Sequence, residues 1–148
     1  MASTDPFFII GTERSGSNLL RVILTSHSRI DVPHPPHVMK YFAPLEGRYG
    51  DLSQPGNLRA LSRDVLRLVA VHIHPWEVKI DAERLVAEAE PPNLLGLIFG
   101  LQQQHQEWAG KARWGNKSTF MLASVDRVLA HRPGARFIWL VRDPRDVA

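Results

Sequence analysis

Short apolar runs alternate with amphipathic stretches along this chain, in an order that predicts strands alternating with helices. Residues 7–10 and 137–141 are continuous apolar runs, the second rich in aromatic and β-branched side chains, and such runs are typical of buried strands. Shorter strands are predicted at residues 30–32 and 113–115. The chain therefore offers four candidate strands.

Five longer stretches carry apolar side chains three and four positions apart, the spacing of one helix face. They predict helices at residues 17–27, 57–74, 81–90, 93–108 and 121–131. Asn57, Asp81 and Asn93 stand where a capping side chain is expected. The apolar side of the first helix comprises Leu19, Leu20, Ile23 and Leu24.

Alternating strands and helices predict an α/β fold with a mostly parallel central sheet covered by helices on both faces. We interpret residues 1–148 as a single domain with a helical insertion at about 57–110. Ligands of such sheets bind at the carboxyl ends of the strands. The candidate site therefore lies in the loops that follow Ile10, Val32 and Val141.

The composition excludes several kinds of site. The chain has no cysteine, which rules out disulfides, thiolate nucleophiles and cysteine-ligated metals. Its net charge of +3 comes from scattered Lys and Arg, and no basic run predicts a nucleic-acid groove. The longest apolar run, residues 94–101, is too short to span a bilayer, and no signal peptide is visible. We therefore expect a soluble cytoplasmic protein.

The loop at residues 11–16, between the first strand and the first helix, lies where proteins often hold a phosphate. Its two glycines let backbone amides approach an anion, although a plain strand–turn–helix junction also uses glycines. A nucleotide triphosphate loop needs Lys and then Ser or Thr after the second glycine. Ser17 and Asn18 stand there instead, so the lysine and the Mg²⁺ ligand are both missing. Arg14 places a permanent cation inside the loop, which suits an anion handled without a metal.

Residues 11–20, GTERSGSNLL, resemble the 5′-phosphosulfate loop of sulfotransferases that use 3′-phosphoadenylyl sulfate (PAPS). The tyrosylprotein sulfotransferases and many bacterial relatives carry a similar loop. Asn18 departs from the family's usual Thr, but an amide can still donate to a phosphate oxygen. Residues 113–148 resemble the family's downstream block, with its N-K segment, hydrophobic strand and R-D-P-R-D loop, whereas the middle of the chain matches only in outline.

The resemblance implies a P-loop-like three-layer fold, PAPS as the sulfuryl donor, the 3′,5′-bisphosphate PAP as the product, and no metal. It implies that Lys117 contacts the sulfuryl group or the bridging oxygen and that Arg142 binds the 3′-phosphate. The alternatives are a solvated surface lysine at 117 and a salt bridge from Arg142 to Asp143 or Asp146. Arg14 is implied to stabilise charge on the leaving phosphate. The residues implied to hold the 5′-phosphosulfate are Gly11, Thr12, Arg14, Ser15, Gly16, Ser17 and Asn18.

Sulfuryl transfer to a hydroxyl needs a base, which in the tyrosylprotein branch is a Glu after the second strand. The corresponding stretch here has no Glu, but it has His34 and His37 on a proline-rich loop. His34 is favoured because it aligns with that Glu, Asp31 is a weaker candidate, and packing or solvation of both histidines is the alternative. The other histidines are interpreted as structural, because His72 and His105 lie on predicted apolar helical faces. His72-Ile-His74 has no third metal ligand at a suggestive spacing.

The resemblance leaves two rival functions and an open acceptor. The rivals are a module that binds PAP or PAPS without turnover and a kinase with a degenerate loop. The acceptor hydroxyl can belong to a carbohydrate, a lipid, a peptide tyrosine or a small metabolite. Because the chain stops seven residues after the strand at 137–141, we also expect a fragment. The family's serine partner of Arg142 would then lie beyond Ala148, PAP would bind weakly, and the open sheet edge would favour self-association.

Overall fold

The computed structural model describes residues 5–146, in which four strands form one sheet. The order across the sheet is β2-β3-β1-β4, and each pairing is parallel. The predicted α/β fold with a parallel central sheet is therefore confirmed. The strands are β1 (Phe7–Gly11), β2 (Ile30–Asp31), β3 (Arg113–Lys117) and β4 (Arg136–Leu140).

Helices connect the strands. The α-helices are α1 (Ser17–Thr25), α2 (Val38–Phe42), α3 (Pro55–Val71), α4 (Ala82–Ala87), α5 (Leu94–Trp108) and α6 (Val125–His131), and 3₁₀ segments span Ala43–Tyr49, Thr119–Ser124 and Pro144–Asp146. Two predicted caps are confirmed: Asp81 Oδ1 accepts from the amide of Arg84 at 3.0 Å, and Asn93 Oδ1 accepts from the amide of Leu95 at 2.9 Å. The boundaries of the helical insertion stay a prediction.

Four helix predictions were wrong in detail, among them the helix predicted at 81–90, because α4 ends at Ala87. Helix α3 begins at Pro55 rather than Asn57, because proline has its φ preset for the first helical position. The side chain of Asn57 instead donates to the carbonyl of Asp51 at 2.9 Å. The helix predicted at 121–131 starts as a 3₁₀ segment and becomes α-helical only at Val125. Helix α1 ends at Thr25.

The two faces of the sheet carry two separate cores. Phe8 and Ile10 face a large core that includes α3, α5 and the segment before α6. Phe7 and Ile9 face a smaller core against α1. Because strand side chains alternate between faces, this one strand anchors both helical layers. The sheet is thus held rigidly beneath the loop that follows β1.

Only half of the predicted apolar side of α1 packs against the sheet. Leu20 and Leu24 contact the smaller core, whereas Leu19 is 67% exposed and Ile23 is 56% exposed. On β4, at the edge of the sheet, Trp139 is 65% exposed. Within residues 5–146, the helices are too short or too polar for any of them to traverse a bilayer.

All four strands point the same way, so their carboxyl ends meet at one edge of the sheet. Strand β1 lies between β3 and β4. The connection from β1 leads to β2 on one side of β1, and the connection from β3 leads to β4 on the opposite side. Such a reversal opens a crevice at the carboxyl ends of the strands, where open α/β sheets bind ligands. The fold therefore places the loop after Gly11 at the ligand edge.

Candidate functional site

The glycine loop, residues 11–16, has an unusual backbone. Gly11, Arg14 and Gly16 have φ values of +148°, +62° and +92°, in the left-handed half of conformational space. A Cβ atom on Gly11 would lie 2.6 Å from the carbonyl oxygen of Leu140, so the approach of β4 requires glycine there. Backbone with such positive φ values is found in loops whose amides bind anions.

The glycine loop ends at the N-terminus of α1. Gly16 is the N-cap residue and has no side chain with which to cap the helix, and the first turn carries no acid. Nearby, the hydroxyl of Ser15 is buried and has no hydrogen-bond partner within residues 5–146. Backbone amides at a helix start, the helix dipole and a hydroxyl are groups with which proteins bind anions.

Arg14 lies within the glycine loop, and Arg142 lies beside it. The Nη1 atom of Arg142 donates to the backbone carbonyl of Arg14 at 3.3 Å, so the loop after β4 is joined to the loop after β1. Both side chains are exposed. The carboxylate of Asp143 pairs instead with Arg145, at 2.6 Å. The alternative of a salt bridge from Arg142 to Asp143 is therefore not observed, because Asp143 pairs with Arg145.

Lys117 lies at the carboxyl end of β3 and is half-buried between the buried residues Asn116 and Ser118. Burial lowers the pKa of its ammonium group, the nearby guanidinium of Arg21 lowers it further, and Glu13 opposes both effects. Its ammonium group has no carboxylate within salt-bridge distance in the described part of the chain. A half-buried cation without an acidic partner is suited to an anionic ligand.

The proline–histidine loop, residues 33–37, follows β2 at the same edge. Its three prolines are buried and its two histidines are half-buried. The indole Nε1 of Trp76 donates to the carbonyl of His34 at 2.8 Å, which fixes the loop against the segment after α3. The Nδ1 atoms of His34 and His37 are both buried without a hydrogen-bond partner among the described residues.

His34 and His37 lie in a four-histidine cluster with His72 and His74. The ring centroids of His34 and His74 are 4.2 Å apart, those of His34 and His72 are 5.4 Å apart, and those of His37 and His72 are 6.4 Å apart. The prediction that His72 lies on an apolar helical face was wrong, since it follows the last residue of α3. Across the described ranges, no group of three or more ligands has metal-binding geometry.

The cluster and its cations keep the two imidazoles neutral. Burial lowers the pKa of His34 to about 4, with His74, Arg21 and the other cluster histidines contributing in the same direction. Burial also lowers the pKa of His37, followed by Lys117, His72 and Lys40, while Glu13 opposes the shift. Both imidazoles are therefore in their neutral form, with one ring proton each, at neutral pH.

Asp31 and His105 form a separate buried pair. The Nδ1 atom of His105 lies 2.8 Å from Oδ2 of Asp31, and both residues are buried. The His105 ring also packs against Trp76 and Trp108, with centroids 4.8 and 5.3 Å away. These contacts agree with the structural role predicted for His105. The carboxylate of Asp31, the weaker candidate for the base, is paired with His105.

Arg21 is a site residue that the sequence reasoning missed. Its Nη1 atom donates to the carbonyl of Val32 at 3.2 Å and its Nε atom to Oδ1 of Asn18 at 3.0 Å. It therefore links the start of α1 to the proline–histidine loop. The only sequence signal was its position one turn after Asn18, since helix residues three apart lie on one face.

The sequence-predicted residues thus collect at one edge of the sheet. The glycine loop and Arg142 are in direct contact, and Arg21 and Glu13 lie near enough to Lys117 to shift its pKa. A family model described as the sulfotransferase family matches residues 6–148. A search of curated proteins finds no match.

Proposed function

Since this chain belongs to the sulfotransferase family, whose reaction is sulfuryl transfer, we propose that it takes the sulfuryl group from PAPS and passes it to a hydroxyl acceptor. The observation that carries the proposal is the joining of the glycine loop to Arg142 by the hydrogen bond between Arg142 and Arg14. An anion site and a second cation are thereby held side by side. A donor with phosphate groups on both its 5′ and 3′ positions matches that pair.

The glycine loop fits the 5′-phosphosulfate. The buried hydroxyl of Ser15 lacks a partner within the described residues, and the first amides of α1 have no side-chain cap. The approach of Leu140 leaves no room for a side chain at Gly11, so the start of the glycine loop is packed directly against β4. Ser17 and Asn18 complete the start of α1, Thr12 and Gly16 shape the turn, and Arg14 adds a permanent charge.

Arg142 and Lys117 are proposed to bind the other two anionic groups of the donor, the 3′-phosphate and the sulfuryl group. Arg142 is positioned for the 3′-phosphate because it extends from β4 past the backbone of Arg14. Lys117 is positioned for the sulfuryl oxygens because it is half-buried on the neighbouring strand and has no acidic partner in the described chain. Fixed cations aimed at charge that develops in the transition state are the largest single contribution in many enzymes.

In the reaction, the acceptor oxygen forms a bond to sulfur while the bond from sulfur to the bridging phosphate oxygen breaks. PAP leaves with the electron pair of that bond, and Arg14 and Lys117 stabilise its negative charge. The acceptor's proton passes to an imidazole of the proline–histidine loop, either His34 or His37. The lowered pKa values of both keep them neutral and able to accept it at neutral pH.

The loop chemistry argues against a kinase. Neither Ser17 nor Asn18 reproduces the Lys and the hydroxyl that a triphosphate and its Mg²⁺ need at these positions. A module that binds PAP without turnover shares the same donor site and is separated only by an assay of transfer. The candidate acceptors are hydroxyls of carbohydrates, lipids, peptide tyrosines and small metabolites.

The proposal is tested with ³⁵S-labelled PAPS and one acceptor of each class, in the presence of EDTA. We expect label on at least one acceptor, and a loss of about ten- to a hundredfold in Lys117→Met, the scale of one charge-assisted contact. Lys111→Met is the matched control, because Lys111 is also half-buried but precedes β3 and donates to the carbonyl of His27 at 2.7 Å. Saturable PAP binding without label on any acceptor would favour the non-catalytic module.

A further inference from the structure

A small cavity lies beneath His37, between the proline–histidine loop, α5 and β3. Its volume is about 20 Å³, enough for one water molecule. Apolar side chains form much of its wall, among them Met39, Ile98 and Met121. His37, Gln102, Asn116 and Ser118 also line it. The cavity thus joins a candidate base to polar side chains on two other elements.

Each of these four polar residues has an unsatisfied atom. His37 Nδ1, Gln102 Oε1, Asn116 Oδ1 and Ser118 Oγ are buried and have no hydrogen-bond partner among the described residues. Gln102 is 3% exposed, Asn116 is 7% exposed and Ser118 is 4% exposed, so bulk solvent does not reach them. Buried polar atoms in proteins are nearly always hydrogen-bonded to protein or to an ordered water. Four such atoms around one water-sized cavity indicate a shared partner.

The donors and acceptors balance in one arrangement. The two amide oxygens can only accept, so they take both hydrogens of a central water. The water then accepts from two donors, and the Ser118 hydroxyl is one of them. The imidazole has to be the other, which requires its proton on Nδ1. In a neutral imidazole the Nε2 atom then carries the free lone pair.

We propose that a single internal water, held by Gln102, Asn116 and Ser118, fixes His37 in its Nδ1–H form and makes its Nε2 the atom that takes the acceptor's proton. The three polar residues are positioning residues, because they act through the water and the imidazole. The inference rests on the proposed function and deepens it by choosing between the two histidines.

The surroundings of the two rings agree with this choice. The groups that shift the pKa of His37 are Lys117, His72, Lys40 and Glu13, so its ring lies near the cation proposed for the sulfuryl oxygens. The His34 ring packs on His74 at 4.2 Å instead. A proton acceptor whose pKa is about 4 also has a smaller driving force for taking a proton at neutral pH.

The test is the tautomer of His37, read from long-range ¹H–¹⁵N spectra of the side chain without PAPS. We expect a protonated Nδ1 and a bare Nε2 in the unaltered chain, and a shift of population toward the Nε2–H form in Gln102→Leu, because a water that has lost one acceptor can donate its freed hydrogen to Nδ1. Ser62→Ala is the control for loss of a buried polar group, since Ser62 is 2% exposed and its hydroxyl lacks a partner among the described residues, but it lies on α3 away from this cavity. Asn116→Leu, which removes the other acceptor, is a second variant in case Gln102→Leu does not fold.

An Nε2–H form of His37 in the unaltered chain would overturn the inference. So would a cavity variant that folds and keeps the tautomer of the unaltered chain.

With PAPS and an acceptor, His37→Gln should lower the rate of sulfuryl transfer by about a hundredfold or more, the scale of a general base, and by more than His34→Gln does. His131→Gln, on the exposed end of α6, is the control. If the tautomer is as proposed and no transfer is found, the proposed function fails and the water site stands. If His34→Gln loses more than His37→Gln, the choice of base is wrong.

Discussion

The guanidinium of Arg142 donates a hydrogen bond to the backbone carbonyl of Arg14 at 3.3 Å, which ties the loop after β4 to the loop after β1. These residues are far apart in the sequence and meet because β1 and β4 are parallel neighbours, with Gly11 opposite Leu140. The contact holds the guanidinium of Arg142 beside the backbone of the glycine loop. That proximity is the structural basis for proposing a donor with two separate phosphate groups.

If Arg142 binds the 3′-phosphate, Arg142→Ala should weaken PAP binding by about ten- to a hundredfold, the loss of one charge-assisted contact. Binding of AMP, which has no 3′-phosphate, should change much less. Calorimetric titration with both nucleotides measures the difference. Arg145→Ala is the control, because that arginine pairs with Asp143. Equal losses for PAP and AMP would show that Arg142 does not distinguish the 3′-phosphate.

Arg14 combines a charge with a left-handed backbone, and two substitutions separate these properties. Arg14→Gly removes the charge and relieves the φ of +62°, whereas Arg14→Ala removes the charge and keeps the backbone strain that Arg14 already bears. We expect both to weaken PAP binding by about tenfold or more, and the glycine variant to be the more stable of the two. Calorimetry and thermal unfolding measure the two effects. Unchanged PAP affinity in Arg14→Gly would remove Arg14 from the donor site.

Gly11→Ala should damage the glycine loop more than its size suggests. The new Cβ would lie 2.6 Å from the carbonyl oxygen of Leu140, and backbone at that distance has to move. We expect a lower unfolding temperature and weaker PAP binding. Gly47→Ala is the control, because nothing lies within 4 Å of a Cβ there and its φ is not positive. Equal stability of the two variants would contradict the close approach of β4.

His34 should make the fold sensitive to acid. Its pKa is about 4 in the folded chain and near 6.5 when unfolded, so between these values the unfolded chain binds the extra proton. Stability is therefore expected to fall as the pH drops from about 6.5 to about 4, and His34 adds no further loss below that. His34→Gln should show a shallower fall in urea-unfolding experiments across this range. The same slope in both proteins would mean that His34 is not buried among cationic neighbours.

The fold was predictable from sequence because its signals are local. The strand at 7–10 and the cap Asn93 are read from a few adjacent residues, and both appear in the structure within one residue. The start of α3 was misjudged because Pro55 outweighed the capping tendency of Asn57. Local patterns thus predict the elements and leave their ends less certain.

The site was only partly predictable, because much of it depends on long-range packing. The glycine loop and Arg142 carry recognisable motifs at strand ends, so the fold class alone places them at one edge. The approach of His72 and His74 to His34 has no local signal, since it depends on the direction of α3 and on the bond from Trp76 to the loop. The cavity beneath His37 likewise needs three elements to be in place.

The nucleotide preference of the site is the most direct test of the donor proposal. Calorimetric titration of the unaltered chain with PAP, in EDTA, should give saturable binding, and ATP with Mg²⁺ should neither compete effectively nor be hydrolysed. The reason is that the two positions after Gly16, where a triphosphate loop has Lys and then Ser or Thr, carry Ser17 and Asn18. The lysine for the phosphates and the hydroxyl ligand for Mg²⁺ are therefore missing at these positions. Tighter binding of ATP with Mg²⁺ than of PAP, lost on adding EDTA, would contradict the account.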